Sequence, residues 1–339
     1  MRGVIMHSPG EVTVEDLPDP KILKPTDAII RLAASCICGS DLWPFRGVVQ
    51  PHDQAMGHEY VGVVEEVGAD VRTVKPGDFV VGSFMASCGE CEICLSGFPS
   101  RCARRGHDGI EGMQAQFARV PLADGTLVVV PGMPDAAAVR GLLALSDVLG
   151  TGWFGALAAE AGPGKTVAVV GDGAVGVMAV LAARELGAER VIAMSRHADR
   201  QELARYYGAT DIVEARGDEG VQAIKELTNG HGAHSVVEAV GTQESFMQAV
   251  RSTRPGGHMG FVGVSHEVQI PGIQLFGAQI HTLGGPAPVR NYLPDLVDRI
   301  LAGSIDPGRV FDLTLPLDQA ADGYSAMDER RAIKVMLTV

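Results

Sequence analysis

Along the first third of the chain, apolar residues come in short runs cut by Pro, Gly and Asp, as in Ala28–Leu32, Val61–Val64 and Phe79–Val81. Runs bounded in this way predict strands, and Pro76-Gly77-Asp78 predicts the turn that leads into Phe79. From about Ala136 the apolar spacing turns helical and the middle of the chain alternates. It predicts a strand at Thr166–Val170, a helix over 174–187, a strand at Val191–Met194, a helix over 199–207 and a strand at Ile212-Val213. That order calls for a parallel sheet. Pro255-Gly256-Gly257 precedes a further apolar strand from Met259 to Val264. After Gly284-Gly285-Pro286 one helix over about 290–302 is followed by strand-like segments ending at Ile333–Leu337. A β-rich part formed by both chain ends therefore flanks an inserted α/β part, with no internal repeat and no low-complexity tail.

Length and charge narrow the function. At 339 residues the chain is sized for about two domains. Its 28 Lys+Arg against 41 Asp+Glu give a net charge of −13, which repels nucleic acid and anionic membrane surfaces. The longest stretch without Asp, Glu, Lys or Arg, Val268–Val289, is broken by Pro271, Gly272, three glutamines and Pro286, so it cannot be a spanning helix. Residues Met1–His7 have no apolar core of signal-peptide length. The expectation is a cytoplasmic protein that acts on a small molecule, with neither nucleic acid nor membrane as partner.

Four of the six cysteines fall in one segment, Cys88-x2-Cys91-x2-Cys94-x7-Cys102. Four thiolates so close together can wrap a tetrahedral zinc and fill all its positions, which makes that zinc structural. A cluster of buried or redox-active thiols is the alternative. The lobe spans about 86–104, and Gly89 and Gly97 give it the backbone freedom a tight wrap needs.

The apolar strand Thr166–Val170 runs into Gly171-Asp172-Gly173-Ala174-Val175-Gly176, with a helix after it and a second strand beyond. In that context the G-x-G-x-x-G pattern is a Rossmann dinucleotide fingerprint: Gly171 makes the turn, Gly173 admits the pyrophosphate, and Gly176 allows close packing. Ala174 and Val175 begin the helix whose N-terminus faces the phosphates. An NAD site carries an acidic residue about 20 positions on, at the end of the second strand. Here Ser195, Arg196 and Arg200 stand there, a hydroxyl and cations that suit a ribose 2′-phosphate and favour NADP(H) over NAD(H). Alternatively, the two arginines are solvated surface charges. Asp199 lies past the strand end and reads as the cap of the next helix.

Cys38-Gly39-Ser40-Asp41 and Gly57-His58-Glu59-x2-Gly62-x5-Gly68, in order with the cysteine lobe and the fingerprint, resemble the zinc-dependent alcohol dehydrogenases of the medium-chain dehydrogenase/reductase superfamily over essentially the whole chain. The resemblance implies a GroES-like β-barrel catalytic domain over 1–148 and 287–339, with a Rossmann doubly wound parallel-sheet domain over 149–286. The active site would lie in the cleft between them. It also implies a second, catalytic zinc on Cys38, His58 and Asp147, with a fourth position open to water or substrate. Asp147 alternatively reads as a helix cap. By the same resemblance Glu59 approaches the metal when that position exchanges its ligand, Asp41 orients the ligand histidine, and Ser40 hands the alcohol proton toward the cofactor ribose. In many relatives a histidine continues that relay. Here Trp43 occupies the position, and indole nitrogen only donates. Trp43, Phe84 and Trp153 line the substrate pocket, while Thr151, Gly263 and Val264 pack the nicotinamide. Lys334 meets the cofactor phosphates, or else protects a strand edge. Cys36 reads as a small buried residue. The implied reaction is hydride transfer between NADP(H) and an alcohol or carbonyl, in a homodimer or homotetramer. The rivals are reduction of activated C=C bonds and a non-catalytic nucleotide sensor.

Overall fold

The computed structural model describes every residue except His107 and Asp108. In chain order its strands are β1 (Arg2–Ser8), β2 (Glu11–Asp16), β3 (Ala28–Cys36), β4 (Gln54–Ala55), β5 (Tyr60–Val67), β6 (Phe79–Gly82), β7 (Phe117–Val120) and β8 (Leu127–Val129). There follow β9 (Thr166–Val170), β10 (Arg190–Met194), β11 (Asp211–Val213), β12 (Ala233–Glu238), β13 (Thr253–Phe261), β14 (His281–Gly284), β15 (Leu313–Pro316) and β16 (Val335–Thr338). The chain divides into two compact units, Met1–Asp147 with Pro288–Val339, and Val148–Ala287.

In the first unit one sheet runs β15-β16-β3-β5-β6-β8, with β7 also paired to β3, and a smaller one runs β2-β1-β4. The long central strand β3 pairs antiparallel with β5, and bulges at Ile29/Ile30 and Leu32/Ala34 bend it. Ile30, Leu32, Tyr60, Val64, Val80 and Leu127 belong to one buried cluster. Burying such a set is worth roughly 2 kcal/mol per large side chain. The return of the chain end is specific: β16 pairs with β3 so that Met336 faces Cys36. A second cluster around Met6, Ile37, Met56, Tyr324 and Leu337 seals that junction.

The second unit is a six-stranded parallel sheet in the order β11-β10-β9-β12-β13-β14. The helix Ala174–Glu185 follows β9, and further helices at Gly217–Leu227 and Gln243–Ser252 complete the alternation. β13 starts earlier than its apolar run suggests. Ala233 pairs with Thr253 and Ser235 with His258, so Pro255-Gly256-Gly257 is taken up as an irregularity inside the strand, with Gly256 at φ +72°. Among the described residues no single helix is long and apolar enough to cross a membrane.

Candidate active site and metal centres

The cysteine lobe has the geometry of a cation site. Sγ of Cys91 lies 3.4 Å from that of Cys94 and 4.0 Å from that of Cys102, and Cys88 Sγ lies 3.9 Å from Cys94 Sγ. The cysteines are not disulfide-bonded. Sulfurs about 2.3 Å from a tetrahedral zinc stand about 3.8 Å apart, so the set fits the ion. Gly89 and Gly97 both adopt positive φ, as the wrap requires. The backbone N–H groups of Glu90 and Cys91 donate to Cys88 Sγ, and that of Cys88 donates to Cys102 Sγ. Such bonds favour thiolates. Backbone donors at Cys94 and Ala103 pull the Cys91 thiol down to about 6, whereas burial pushes Cys94 up to about 12.

A second donor set is assembled from three distant stretches. Cys38 follows β3, which Ile37 N–H closes with a bond to Val335 O at 3.0 Å. It caps a short turn in which its own N–H donates to Asp41 Oδ2 at 3.0 Å. His58 and Glu59 lead into β5 from Gly57, whose φ is +95°; a Cβ there would meet the Gln114 backbone nitrogen at 2.7 Å. Only glycine can stand in that position. Asp147 ends the first unit. It is aimed by its neighbour Ser146, whose Oγ donates to Gly82 O at 2.7 Å and accepts from Tyr60 N–H at 3.1 Å.

Ligand atoms of Cys38, His58, Glu59 and Asp147 all lie within 4.8 Å of one another. His58 Nε2 stands 3.5 Å from Asp147 Oδ2, and Cys38 Sγ stands 3.8 Å from the same oxygen. Those separations are long for hydrogen bonds. They match the roughly 3.3–3.8 Å between neighbouring ligands around a zinc with bonds of about 2.0–2.3 Å. Electrostatics agree. Burial opposes charge on His58, yet the Cys38 sulfur and the Asp147 carboxylate outweigh it and hold the imidazole well above its usual range. Burial pushes the Cys38 thiol up. Crowded acidic donors of this kind need a cation, and the residues present fit zinc.

Asp41 Oδ1 faces His58 Nδ1 at 3.6 Å, which directs the Nδ1 proton to the carboxylate and leaves Nε2 for a metal. Two residues not singled out from sequence fix Asp41. Gln114 Nε2 donates to Asp41 Oδ2 and to Cys36 O, both at 3.1 Å, while its Oε1 accepts from the Tyr324 hydroxyl at 3.0 Å. No local pattern in the sequence marks Gln114; in the fold it packs against Gly57, where a Cβ would meet its Cγ at 2.6 Å. Ser40 and Trp43 are half-buried beyond Cys38, and Phe84 meets the His58 ring edge-on at 6.2 Å between centroids. Cys36 is wholly buried.

Lys334 requires a correction. It is wholly buried, with Nζ 2.7 Å from Glu59 Oε1 and 3.2 Å from Ile37 O. An ammonium held there has no free face for a cofactor phosphate. Nor does it guard an edge, because it enters β16, which lies between β15 and β3.

In the second unit the fingerprint residues form a tight turn from strand to helix. Gly171 (φ +124°) turns out of β9, Gly173 caps the helix Ala174–Glu185, and a Cβ on Gly176 would sit 2.0 Å from Gly171 O. A Cβ on Gly173 would meet nothing within 4 Å, so the loop's front is open to a pyrophosphate. Ser195 is buried at the end of β10, Arg196 is exposed, and Arg200 is largely buried against Asp172 rather than solvated. Asp199 sits in the first turn of its helix while His197 holds the cap position. Thr151 and Trp153 are buried on the helix Val148–Ala158. Gly263 packs on the turn after β12, where a Cβ would meet Gly241 N at 2.2 Å, and Val264 is half-exposed. Glu238, missed from sequence, braces that turn: its Oε1 accepts from Val240 N–H, Gly241 N–H and Ser245 Oγ.

Comparison with known proteins agrees with this geometry. Residues 24–132 match the alcohol dehydrogenase GroES-like domain, and residues 174–301 match the zinc-binding dehydrogenase domain. Zinc-type alcohol dehydrogenase B of Aspergillus flavus is 36% identical over 99% of this chain and 81% of its own. Alcohol dehydrogenase TADH from Thermus sp. ATN1 is 32% identical and superposes with a TM-score of 0.90 over 100% of both chains. A zinc-binding dehydrogenase of Sinorhizobium meliloti 1021 bound to NADP is 28% identical, with a TM-score of 0.81 over 100% of this chain and 99% of that one. With its GroES-like and Rossmann domains and its two zinc-type donor sets, the chain belongs to the zinc-dependent alcohol dehydrogenases of the medium-chain dehydrogenase/reductase superfamily.

Proposed function

We propose that this oxidoreductase interconverts an alcohol and its aldehyde or ketone, using NADP(H) in preference to NAD(H) and carrying two zinc ions per chain. The observation that carries the reading is the donor set of Cys38, His58, Glu59 and Asp147; with Glu59 held by Lys334, the other three leave one position of a tetrahedral ion for the substrate. Bound zinc supplies Lewis acidity at the reacting oxygen, and the nicotinamide supplies or accepts the hydride.

The chain's own groups do the rest. Asp41, braced by Gln114, keeps the His58 ring in the tautomer and orientation that present Nε2. Ser40 relays the substrate's hydroxyl proton, accepting it as its own hydroxyl proton passes on toward the cofactor ribose. Trp43 cannot pass it on, because indole nitrogen accepts no proton, so water or buffer completes the transfer. Phe84 and Trp43 give the site an apolar wall that favours apolar or aromatic carbonyls over polyols. Thr151, Gly263 and Val264 pack the nicotinamide, Gly171–Gly176 hold the pyrophosphate, and Ser195, Arg196 and Arg200 receive the 2′-phosphate. The NADP in the Sinorhizobium meliloti relative supports that preference. A homodimer or homotetramer forms through the edge strand β14 or through the exposed apolar residues Ile273 and Phe276.

The test is NADPH oxidation with a panel of aldehydes, ketones and enones, with and without chelator. Chelator-sensitive turnover of saturated carbonyls is expected. Turnover confined to enone C=C bonds would replace this reading with alkene reduction, and cofactor binding without any turnover would favour a sensor.

A further inference from the structure

The two buried donors assigned to the 2′-phosphate already hold an anion of the chain itself. Ser195 Oγ donates to Asp172 Oδ2 at 2.8 Å, and Arg200 Nη1 reaches Asp172 Oδ1 at 3.2 Å and its carbonyl oxygen at 3.4 Å. The Arg200 and Asp172 side chains are only 13% and 14% exposed, so solvent screens the contact incompletely. Asp172 stands between the first two glycines of the fingerprint, and the loop that admits the pyrophosphate therefore carries a carboxylate toward the ribose end.

The Ser195 side of this cluster is held in place by its neighbours. Gln201 Nε2 pins the strand end by donating to Ser195 O at 3.1 Å and to Glu214 Oε1 at 2.9 Å. His197 N–H donates to Ser195 Oγ at 3.3 Å. Arg196, the remaining cation of the segment, is exposed.

We propose that Asp172 is a specificity-determining residue whose carboxylate stands in for a 2′-phosphate on Ser195 and Arg200. A phosphate arriving there must displace or share with a like charge. A bare 2′-hydroxyl is a donor, and Asp172 is the acceptor it needs. The preference for NADP(H) set by Ser195 and Arg200 is thereby held down, and the enzyme binds NADH as well. This inference rests on the 2′-phosphate reading of the preceding subsection.

The experiment measures dissociation constants for NADPH and NADH by nicotinamide fluorescence on the zinc-loaded full chain, for wild type, Asp172→Asn, Asp172→Ser and Arg200→Gln. Both Asp172 variants are expected to raise the NADPH-over-NADH affinity ratio by about tenfold, the low end of what an adjacent charge exerts at a partly exposed site. Arg200→Gln should lower it. If Arg200→Gln lowers the ratio while both Asp172 variants leave it unchanged or reduce it, the inference is overturned and the 2′-phosphate reading stands. If Arg200→Gln leaves the ratio unchanged, the phosphate site lies elsewhere and both fall. NADH binding reports an intact loop, so if one Asp172 variant loses both cofactors the other decides. Loss of both cofactors from both variants would make Asp172 a residue of loop structure and also overturn the inference.

Discussion

Replacing Lys334 by methionine keeps the length and apolar stem of the side chain and removes only its charge. The ammonium is the ionic partner of Glu59, and the two side chains are 1% and 0% exposed. Among the described residues Glu59 Oε2 has no hydrogen-bond partner. Removing one member of a buried pair typically costs about 3–5 kcal/mol. Here protonation limits that cost. Burial already pushes the Glu59 carboxyl up against the pull of Lys334, and without Lys334 it becomes neutral in the folded state. Protonating a carboxyl of ordinary pKa near 4.3 at pH 7 costs about 2.7 × 1.36, or roughly 3.7 kcal/mol. The folded-state pKa is then raised above the unfolded one, so the lost stability returns as pH falls toward the unfolded value, by about 1.4 kcal/mol per pH unit. Urea unfolding of the chelator-treated first unit can be followed through Trp43 in a Trp153→Phe background, since the chain has only those two tryptophans. Lys334→Met with Glu59→Gln should recover most of the loss, because no charge is left stranded. A loss below about 1 kcal/mol at pH 7, or a deficit that does not shrink in mild acid, would refute the reasoning.

Other consequences can be checked separately. Purified protein should carry two zinc equivalents per chain by metal analysis. Cys91→Ser should retain one of them and melt at a lower temperature. Asp147→Ala should lose turnover by about two orders of magnitude or more while NADPH binding is preserved, because its carboxylate belongs to the metal set and not to the nucleotide loop. Gly176→Ala should abolish cofactor binding, since its Cβ would stand 2.0 Å from Gly171 O and force the fingerprint turn open; titration with NADPH and NADH reads this out. Phe276→Glu places a charge on a side chain that is 84% exposed on the helix Gly272–Ala278, and should lower the solution mass measured by light scattering without changing the melting temperature of the monomer.

What the sequence made legible follows a physical rule. The metal donors and glycines could be read because coordination and turn chemistry act through residue type at fixed local spacing: Cys88 to Cys102 sit in one loop, and Gly171 to Gly176 in one turn. The α/β alternation was legible for a similar reason, since β9 and β10 are buried runs bounded by turn formers. What spacing does not encode is which polar side chains meet across long separations. Gln114 reaches Asp41 over 73 positions and Tyr324 over 210, and nothing local marks either as part of the His58 support. Lys334 is the sharpest instance. A basic residue just before a terminal strand reads as a surface cation or a phosphate ligand, because an isolated buried ammonium is too costly to expect. Its burial becomes tolerable only through Glu59, 275 positions earlier, which is itself tolerable only with Lys334 opposite. Each residue taken alone argues against the place it holds. Their pairing depends on β16 returning to lie against β3, so the electrostatics beside the metal set are fixed by topology rather than by motif.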